Sequence, residues 1–225
     1  MLCEEMKDDA AKMYPKLSPK LKKIYNALDV QHIRKLAEAP TLSLPENFLQ
    51  NGYIISVGRL HETQKDFTTL VRAYADAVTR HGIKEHLVIV GEGGALEDLK
   101  ALATELGVRD RIYFTGRQEN PYNWMKHARL FLFSSKYEGL PTVLIEAHTL
   151  HLPVVATATP TGVRELLMDG LAGSLVPIGN VTAMADAVAE VLKDAALQAQ
   201  YLREAEKLLP QFSIGYMIPR LEELF

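Results

Sequence analysis

From residue 53 onward, the sequence alternates short runs of β-branched and aromatic residues with longer amphipathic stretches. The short runs are YIISVG (53–58), HLVIVG (86–91), RIYFTG (111–116), RLFLFSS (129–135), PVVATA (153–158) and AGSLVP (172–177). Strands that alternate with helices pair in parallel, and the helices cover both faces of the sheet. The alternation therefore predicts an α/β fold with a doubly wound, parallel six-stranded sheet.

The segments between these runs predict the helices. Helical periodicity is found at 66–81, 95–107, 120–128, 141–151, 162–170, 180–194 and 195–209, and a helical segment is expected at the carboxyl terminus. Before residue 53, the pattern favours a short strand at 22–26, a short helix that ends at Pro40, and a loop over 41–52.

Composition excludes several classes of protein. The chain has 225 residues, 48% of them hydrophobic, and a formal net charge of -3, which argues against a nucleic-acid binder held by a general basic surface. Its single cysteine, Cys3, excludes an intrachain disulfide framework. No stretch has the character of a signal peptide or a membrane span, so the cytoplasm is the expected location.

Candidate binding groups follow the strands. Three predicted strands end in Gly58, Gly91 and Gly116, and ligands of open α/β sheets bind beyond the carboxyl ends of strands. Arg59 and Lys65 bracket the loop after the first strand, where two cations could hold one anionic group. The alternative interpretation, that both are solvated loop charges, is equally open at this point.

The stretch KYEGLPTVLIEAH (136–148) carries two carboxylates around the start of a predicted helix. Pro141 is favoured as the first helical residue, and the amides that follow it would attract an anion. Glu138 lies in the preceding loop and Glu146 lies in an otherwise apolar helix, where a ligand with hydroxyl groups could satisfy it. Spacing alone equally allows Glu138 to be a capping group and Glu146 to mark an exposed face.

Other motifs give weaker predictions. GEGGAL (91–96) lacks the third small residue of a dinucleotide fingerprint, and a flexible turn explains its glycines. A metal site at His148 and His151 has no third ligand of fitting type nearby. The segment GVRELL (162–167) could line the same pocket as Glu138 or only cap its own helix.

Taken together, these elements resemble the donor-binding half of the retaining glycosyltransferases of family 4, the group 1 class with the GT-B architecture of two Rossmann-like domains. The matching passages are VGRL with Lys65 (57–65), VGEG (90–93), FTG (114–116), SSKYEGLPTVLIEA (134–147), LPVVAT (152–157), GVREL (162–166) and GLAGSLVP (170–177). The resemblance covers about residues 50 to 195.

The resemblance implies roles for the candidate residues. Glu138 and Glu146 match the E-x7-E motif, in which the first carboxylate contacts the transferred sugar and the second binds the ribose. Arg59 and Lys65 match the basic pair on the donor diphosphate. The remaining substrate-binding residues implied are Gly58, Gly116, Arg117, Gly139, Leu140, Pro141, Thr142 and Val143, of which Gly116 and Arg117 flank the loop that contacts the base.

The resemblance also implies the substrates and the domain organisation. It implies a nucleotide sugar as donor, with UDP favoured, no cofactor and no metal ion. Residues 1–45 resemble the tail of an acceptor domain and a linker, residues 46–208 the donor domain, and residues 209–225 a terminal helical segment. A saccharide or lipid-linked acceptor would bind through the other domain, and the full-length protein could associate peripherally with a membrane.

Two other functions share this architecture. Nucleotide-sugar 2-epimerases use the same two-domain arrangement, although the E-x7-E spacing argues against an isomerase. A binding module without chemistry is the other alternative.

Overall fold

The computed structural model describes residues 1–40 and 44–223. Its centre is a parallel sheet of six strands: β1 (Tyr53–Val57), β2 (His86–Val90), β3 (Ile112–Gly116), β4 (Leu130–Phe133), β5 (Val154–Thr157) and β6 (Ser174–Val176). The spatial order is β3-β2-β1-β4-β5-β6. The predicted doubly wound, six-stranded α/β fold is confirmed, and the strand order reverses between β1 and β4.

Eleven α-helices accompany the sheet in the described part of the chain. They are α1 (Glu4–Met13), α2 (Val30–Ala37), α3 (Glu46–Asn51), α4 (Phe67–His81), α5 (Leu96–Glu105), α6 (Tyr122–Lys126), α7 (Thr142–Thr149), α8 (Val163–Leu166), α9 (Val181–Lys193), α10 (Ala195–Leu208) and α11 (Ile214–Glu222). Helices α4, α5 and α9 bury their apolar residues on one face of the sheet. Helices α6, α7 and α8 do so on the other.

Side-chain caps fix where several of these helices begin. Asp66 accepts a hydrogen bond from the Thr69 amide at the start of α4, and Asn180 accepts one from the Ala183 amide at the start of α9. At the other end of α4, Gly82 adopts a left-handed conformation with φ of 64°, which glycine reaches without the steric cost that other residues meet. The sequence therefore determines these boundaries locally.

Two predictions for the first 52 residues are wrong. Residues 22–26 do not form a strand, because Lys23 and Tyr25 hydrogen-bond to Glu165 instead of pairing along the sheet edge. The predicted loop over 41–52 contains helix α3, whose Phe48 is buried and stacks on His86 with ring centroids 4.1 Å apart. Residues 41–43 of that loop lie outside the described residues.

The loops that follow β1 and β4 are hydrogen-bonded to each other. The Ser134 hydroxyl donates to the Asp66 carbonyl at 2.7 Å, and the Lys136 amide donates to the Gln64 carbonyl at 2.8 Å. Because these loops flank the point where the strand order reverses, their contact forms the edge at which ligands of such sheets bind.

Glycines bring a third loop, the one after β2, against the backbone that follows β1. A Cβ atom on Gly91 would lie 1.9 Å from the Gly58 carbonyl oxygen, and one on Gly93 would lie 2.3 Å from the Leu60 carbonyl oxygen. These glycines are therefore required by close backbone contact, which is a more specific reason than the flexible turn expected from the sequence.

We predict that Gly91→Ala lowers the free energy of unfolding by about 3 kcal/mol or more, because the new methyl group overlaps a backbone carbonyl. Gly94→Ala is the matched control, since a Cβ atom there has no atom within 4 Å, and it should change stability by less than about 0.5 kcal/mol. Urea unfolding measures both. Equal stability of the two variants would contradict the packing described.

Candidate functional site

A cleft of about 340 Å³ lies at the carboxyl ends of β1 and β4 and reaches the first turn of α7. Its walls are Val57, Gly58, Arg59, Gln64, Lys65, Glu138, Leu140, Pro141, Thr142, Val143 and Glu146. Most of the residues predicted for the site are therefore brought around one cleft, and Gly139 lies in the same turn between Glu138 and Leu140. The loops after β1 and β4 and the start of helix α7 therefore border the same cleft.

A second compartment of about 330 Å³ adjoins this cleft and shares Val57, Gly58 and Arg59 with it. Its other walls are Val90, Gly91, Glu92, Arg117, Gln118 and Pro121. Gly116, the last residue of β3, has a φ of 72° that turns the chain toward Arg117. Arg117 therefore lines this second compartment and not the cleft of Glu138, whereas Gly116 lines neither.

Lys65 and Glu138 form an ion pair inside the cleft. Their side chains are only 14% and 8% exposed, so water screens the pair weakly. Glu138 Oε1 also accepts a hydrogen bond from the Ser135 hydroxyl at 2.6 Å, and the Lys65 ammonium lies 5.0 Å from the centre of the Phe133 ring. These partly buried partners therefore hold the Lys65 ammonium in place, and Lys65 is not a solvated loop charge.

Arg59 differs from Lys65 in having no acidic partner. Its side chain is exposed and borders both compartments, and no ion pair to it exists within residues 1–40 and 44–223. A guanidinium group in this position can bind an anion through two parallel hydrogen bonds.

Helix α7 directs its amino terminus at the same cleft. Pro141 precedes the first helical residue, Thr142, so the helix begins one position later than predicted. The Leu144 amide donates to the Pro141 carbonyl at 3.0 Å, whereas the amides of Thr142 and Val143 have no acceptor among the described residues. Free amides and the helix dipole favour an anion at this point.

Glu146 lies one turn further along α7 and also borders the cleft. Burial raises the pKa of its carboxyl group to about 7, although a hydrogen bond from Thr142 opposes the rise. The same carboxylate contributes, after burial, to a raised pKa of the Tyr122 phenol. A partly buried carboxylate without a cation beside it is a strong acceptor for ligand hydroxyl groups.

The segment GVRELL does not line the cleft. Glu165 accepts hydrogen bonds from Lys23 at 2.7 Å and from the Glu4 amide at 2.8 Å. Arg164 pairs with Asp169 at 2.7 Å. Of the two interpretations left open by the sequence, the pocket-lining one is wrong, because these side chains bind the amino-terminal segment and their own helix end.

His148 and His151 are not arranged as metal ligands. His148 is buried, its Nε2 atom lies 3.3 Å from the Leu166 carbonyl, and burial lowers its pKa to about 4. His151 lies in the turn after the helix, with a φ of 55°. In the described part of the chain, no three side chains of His, Cys, Asp or Glu come together as metal ligands would.

Sequence analysis missed two residues that contact Glu138. Ser135 and Gln64 are not among the predicted site residues, yet the Ser135 hydroxyl lies 2.6 Å from Glu138 Oε1 and Gln64 Nε2 lies 3.4 Å from Glu138 Oε2. Spacing offered one clue, since Ser135 lies three positions before Glu138. The contact of Gln64 depends on how the two loops meet, which no local pattern encodes.

Comparison with known proteins agrees with this geometry. The family model described as glycosyl transferases group 1 matches residues 45–208. The chain belongs to the group 1 glycosyl transferases. The resemblance noted in the sequence is thereby confirmed at the level of the family.

The curated relatives include named sugar transferases. An N-acetylgalactosaminyltransferase of Campylobacter jejuni, which extends a diphospho-undecaprenol-linked saccharide, is 36% identical over 191 residues, covering 84% of this chain and 49% of that protein. The lipopolysaccharide core biosynthesis glycosyltransferase LpsE of Rhizobium meliloti is 33% identical over 161 residues, covering 71% of this chain and 45% of that protein. The chain therefore spans about half the length of the curated relatives it matches.

Solved structures share the fold. TarM of S. aureus, in a complex with UDP, fondaparinux and alpha-GlcNAc-glycerol, superimposes with a TM-score of 0.80 at 20% identity, covering 99% of this chain and 42% of TarM. HepE of Anabaena, in a complex with UDP and glucose, gives a TM-score of 0.76 at 21% identity, covering 92% of this chain and 57% of HepE. The predicted fold, one Rossmann-like half of a GT-B glycosyltransferase, is confirmed.

None of the helices in the described residues has the length and apolar character needed to cross a membrane.

We predict that Glu146 makes the stability of this group 1 domain depend on pH. Its folded-state pKa of about 7 lies above its ordinary value of 4.5, so the folded chain binds more protons than the unfolded chain between these values. The free energy of unfolding must therefore fall as pH rises through this window. Urea unfolding from about pH 5 to about pH 8 should show the wild type losing about 2 kcal/mol more than Glu146→Gln.

The control variant is Glu97→Gln, which removes a carboxylate that is 80% exposed. It should follow the pH dependence of the wild type. Identical pH profiles for the wild type and Glu146→Gln would contradict a partly desolvated carboxylate at residue 146.

Proposed function

We propose that this chain is the donor-binding domain of a retaining, nucleotide-sugar-dependent glycosyltransferase that builds a surface polysaccharide or a related glycan. The observation that carries the proposal is the cleft after β1 and β4. There the Arg59 guanidinium, the free amides of α7 and the Lys65–Glu138 pair surround one volume. Family membership supports the reaction class, and the residue roles rest on this geometry.

A diphosphate fits between Arg59 and the first turn of α7. Arg59 offers a guanidinium without an acidic partner in the described chain, and the amides of Thr142 and Val143 offer free donors. When the bond between the sugar and the β-phosphate breaks, negative charge grows on the phosphate oxygens. Fixed donors stabilise such charge strongly when they are oriented before the reaction begins.

The sugar lies at Glu138 in this proposal. Lys65 compensates the charge of Glu138 from one side, so the carboxylate can accept hydrogen bonds from sugar hydroxyl groups. Lys65 also lies close enough to the same cleft to attract the departing diphosphate. The positive charge that develops at the anomeric carbon would then face a carboxylate. The acceptor oxygen would replace the phosphate on the same face of the sugar, and the proton of the acceptor hydroxyl would pass to the departing diphosphate.

The ribose and the base occupy the remaining volume. Glu146, partly buried and without a neighbouring cation, would accept hydrogen bonds from the ribose hydroxyl groups. The base would enter the compartment lined by Val90, Arg117, Gln118 and Pro121. We propose UDP as the nucleotide, and the UDP complexes of TarM and HepE support that choice through their shared fold.

The proposal requires neither a cofactor nor a metal ion, because cations and amides perform the electrostatic task. The acceptor, a saccharide or a lipid-linked saccharide, would bind mainly to a partner domain of the kind that residues 1–45 resemble. That division of the chain, a cytoplasmic location and a peripheral association of the full-length protein with the membrane stay predictions. The names of the relatives of Campylobacter jejuni and Rhizobium meliloti support a glycan acceptor.

We predict that the double variant Arg59→Ala, Lys65→Ala loses UDP binding. Each side chain lost removes a charge-assisted contact of about 1.5–3 kcal/mol, so the affinity should fall by about a hundredfold or more. Calorimetry with UDP and with GDP on the 225-residue chain measures the effect and ranks the two nucleotides.

The matched control is Arg72→Ala, Lys84→Ala, which makes the same change of net charge at exposed positions outside both compartments. It should leave the affinity for UDP within about twofold of the wild type. Failure of the wild type to bind either nucleotide, or equal binding by the two double variants, would reject the proposed site.

A further inference from the structure

We infer that Ser135 is a positioning residue for the transferred sugar, because it fixes which oxygen of Glu138 faces the donor. This inference rests on the proposed function and adds to it a residue outside the cleft lining. Ser135 is fully buried and does not border the cleft, so it would act on the sugar only through Glu138.

The main chain of Ser135 is held by one side chain of the neighbouring strand. The Ser135 amide donates to the Thr157 hydroxyl at 2.9 Å, and that hydroxyl in turn donates to the Ser135 carbonyl at 2.9 Å. Thr157 is itself fully buried at the end of β5. Both backbone groups of Ser135 are thus satisfied by a rigid part of the sheet, which leaves its hydroxyl to act on Glu138.

The two carboxylate oxygens of Glu138 have different hydrogen-bond partners. The Ser135 hydroxyl donates to Oε1 at 2.6 Å, and the same oxygen accepts from the Lys65 ammonium. Among the described residues, the other oxygen, Oε2, accepts only from Gln64 Nε2, at the long distance of 3.4 Å. One oxygen is therefore saturated by the protein, while the other keeps the capacity to accept from a sugar hydroxyl.

Removing the Ser135 hydroxyl would leave Lys65 as the dominant partner of Glu138. An ion pair alone sets a distance but little orientation, because an ammonium donates equally well to either carboxylate oxygen. Glu138 would then sample positions that turn both oxygens toward Lys65. The diphosphate site, formed by Arg59 and the α7 amides, does not involve Ser135 and should keep its affinity.

The test measures affinities of the full chain for UDP and for UDP-sugars by calorimetry. Four UDP-sugars serve as probes, those of glucose, galactose, N-acetylglucosamine and N-acetylgalactosamine, and the one that binds the wild type most tightly is used. We expect Ser135→Ala to reduce the affinity for this UDP-sugar, relative to UDP, by about tenfold. The affinity for UDP alone should stay within about twofold of the wild type.

Two comparisons separate positioning from a merely structural effect. Ser213→Ala removes a serine hydroxyl that donates to the Pro210 carbonyl and borders neither compartment, so it should keep the wild-type ratio of affinities. In a Glu138→Ala background, Ser135→Ala should have no further effect on that ratio, because its only route to the sugar is gone. Thermal unfolding checks that each variant is folded.

The inference is overturned if Ser135→Ala keeps the wild-type ratio, if Ser213→Ala lowers it equally, or if the two variants at 135 and 138 act additively. Each of these results leaves the proposed function intact as long as the wild type binds UDP. If the wild type binds no nucleotide, the proposed function itself fails, and that outcome is separate from the three above.

Discussion

The contact between the loops after β1 and β4 is the constraint on which the site depends. These loops come from strands that lie side by side in the sheet although one follows the other by more than seventy residues. Hydrogen bonds from Ser134 and Lys136 to the backbone at Asp66 and Gln64 fix the loops together. This contact brings Lys65 to Glu138, and that ion pair, which water screens weakly, fixes one wall of the cleft.

The charged side chains of this cleft differ in whether an opposite charge lies beside them. Lys65 is neutralised by Glu138, whereas Arg59 has no acidic partner in the described residues, so a bound anion would be attracted chiefly by Arg59 and the α7 amides. Burial raises the pKa of Glu146, and no ion pair to it exists among the described residues. A donor with a diphosphate in the middle and hydroxyl groups on both sides matches this order of charges.

Much of this could be predicted from the sequence because the relevant signals are local. The strand runs, the helix start to within one residue of Pro141 and the cationic loop after Gly58 each depend on a few adjacent residues. The errors have a tertiary origin: residues 22–26 bind Glu165 rather than the sheet, and helix α3 forms because Phe48 packs on His86. Ser135 contacts Glu138, and Glu165 binds the amino-terminal segment instead of lining the cleft. Both contacts depend on long-range packing that periodicity does not encode.

We expect one anion to bind between Arg59 and the start of α7, and backbone amide NMR during a UDP titration tests this most directly. The amide resonances of Thr142 and Val143 should shift most, together with those of Gly58, Arg59 and Gly116. Amides on α10 and α11 should not move. Shifts concentrated on α10 and α11, with Thr142 and Val143 unchanged at saturation, would contradict it.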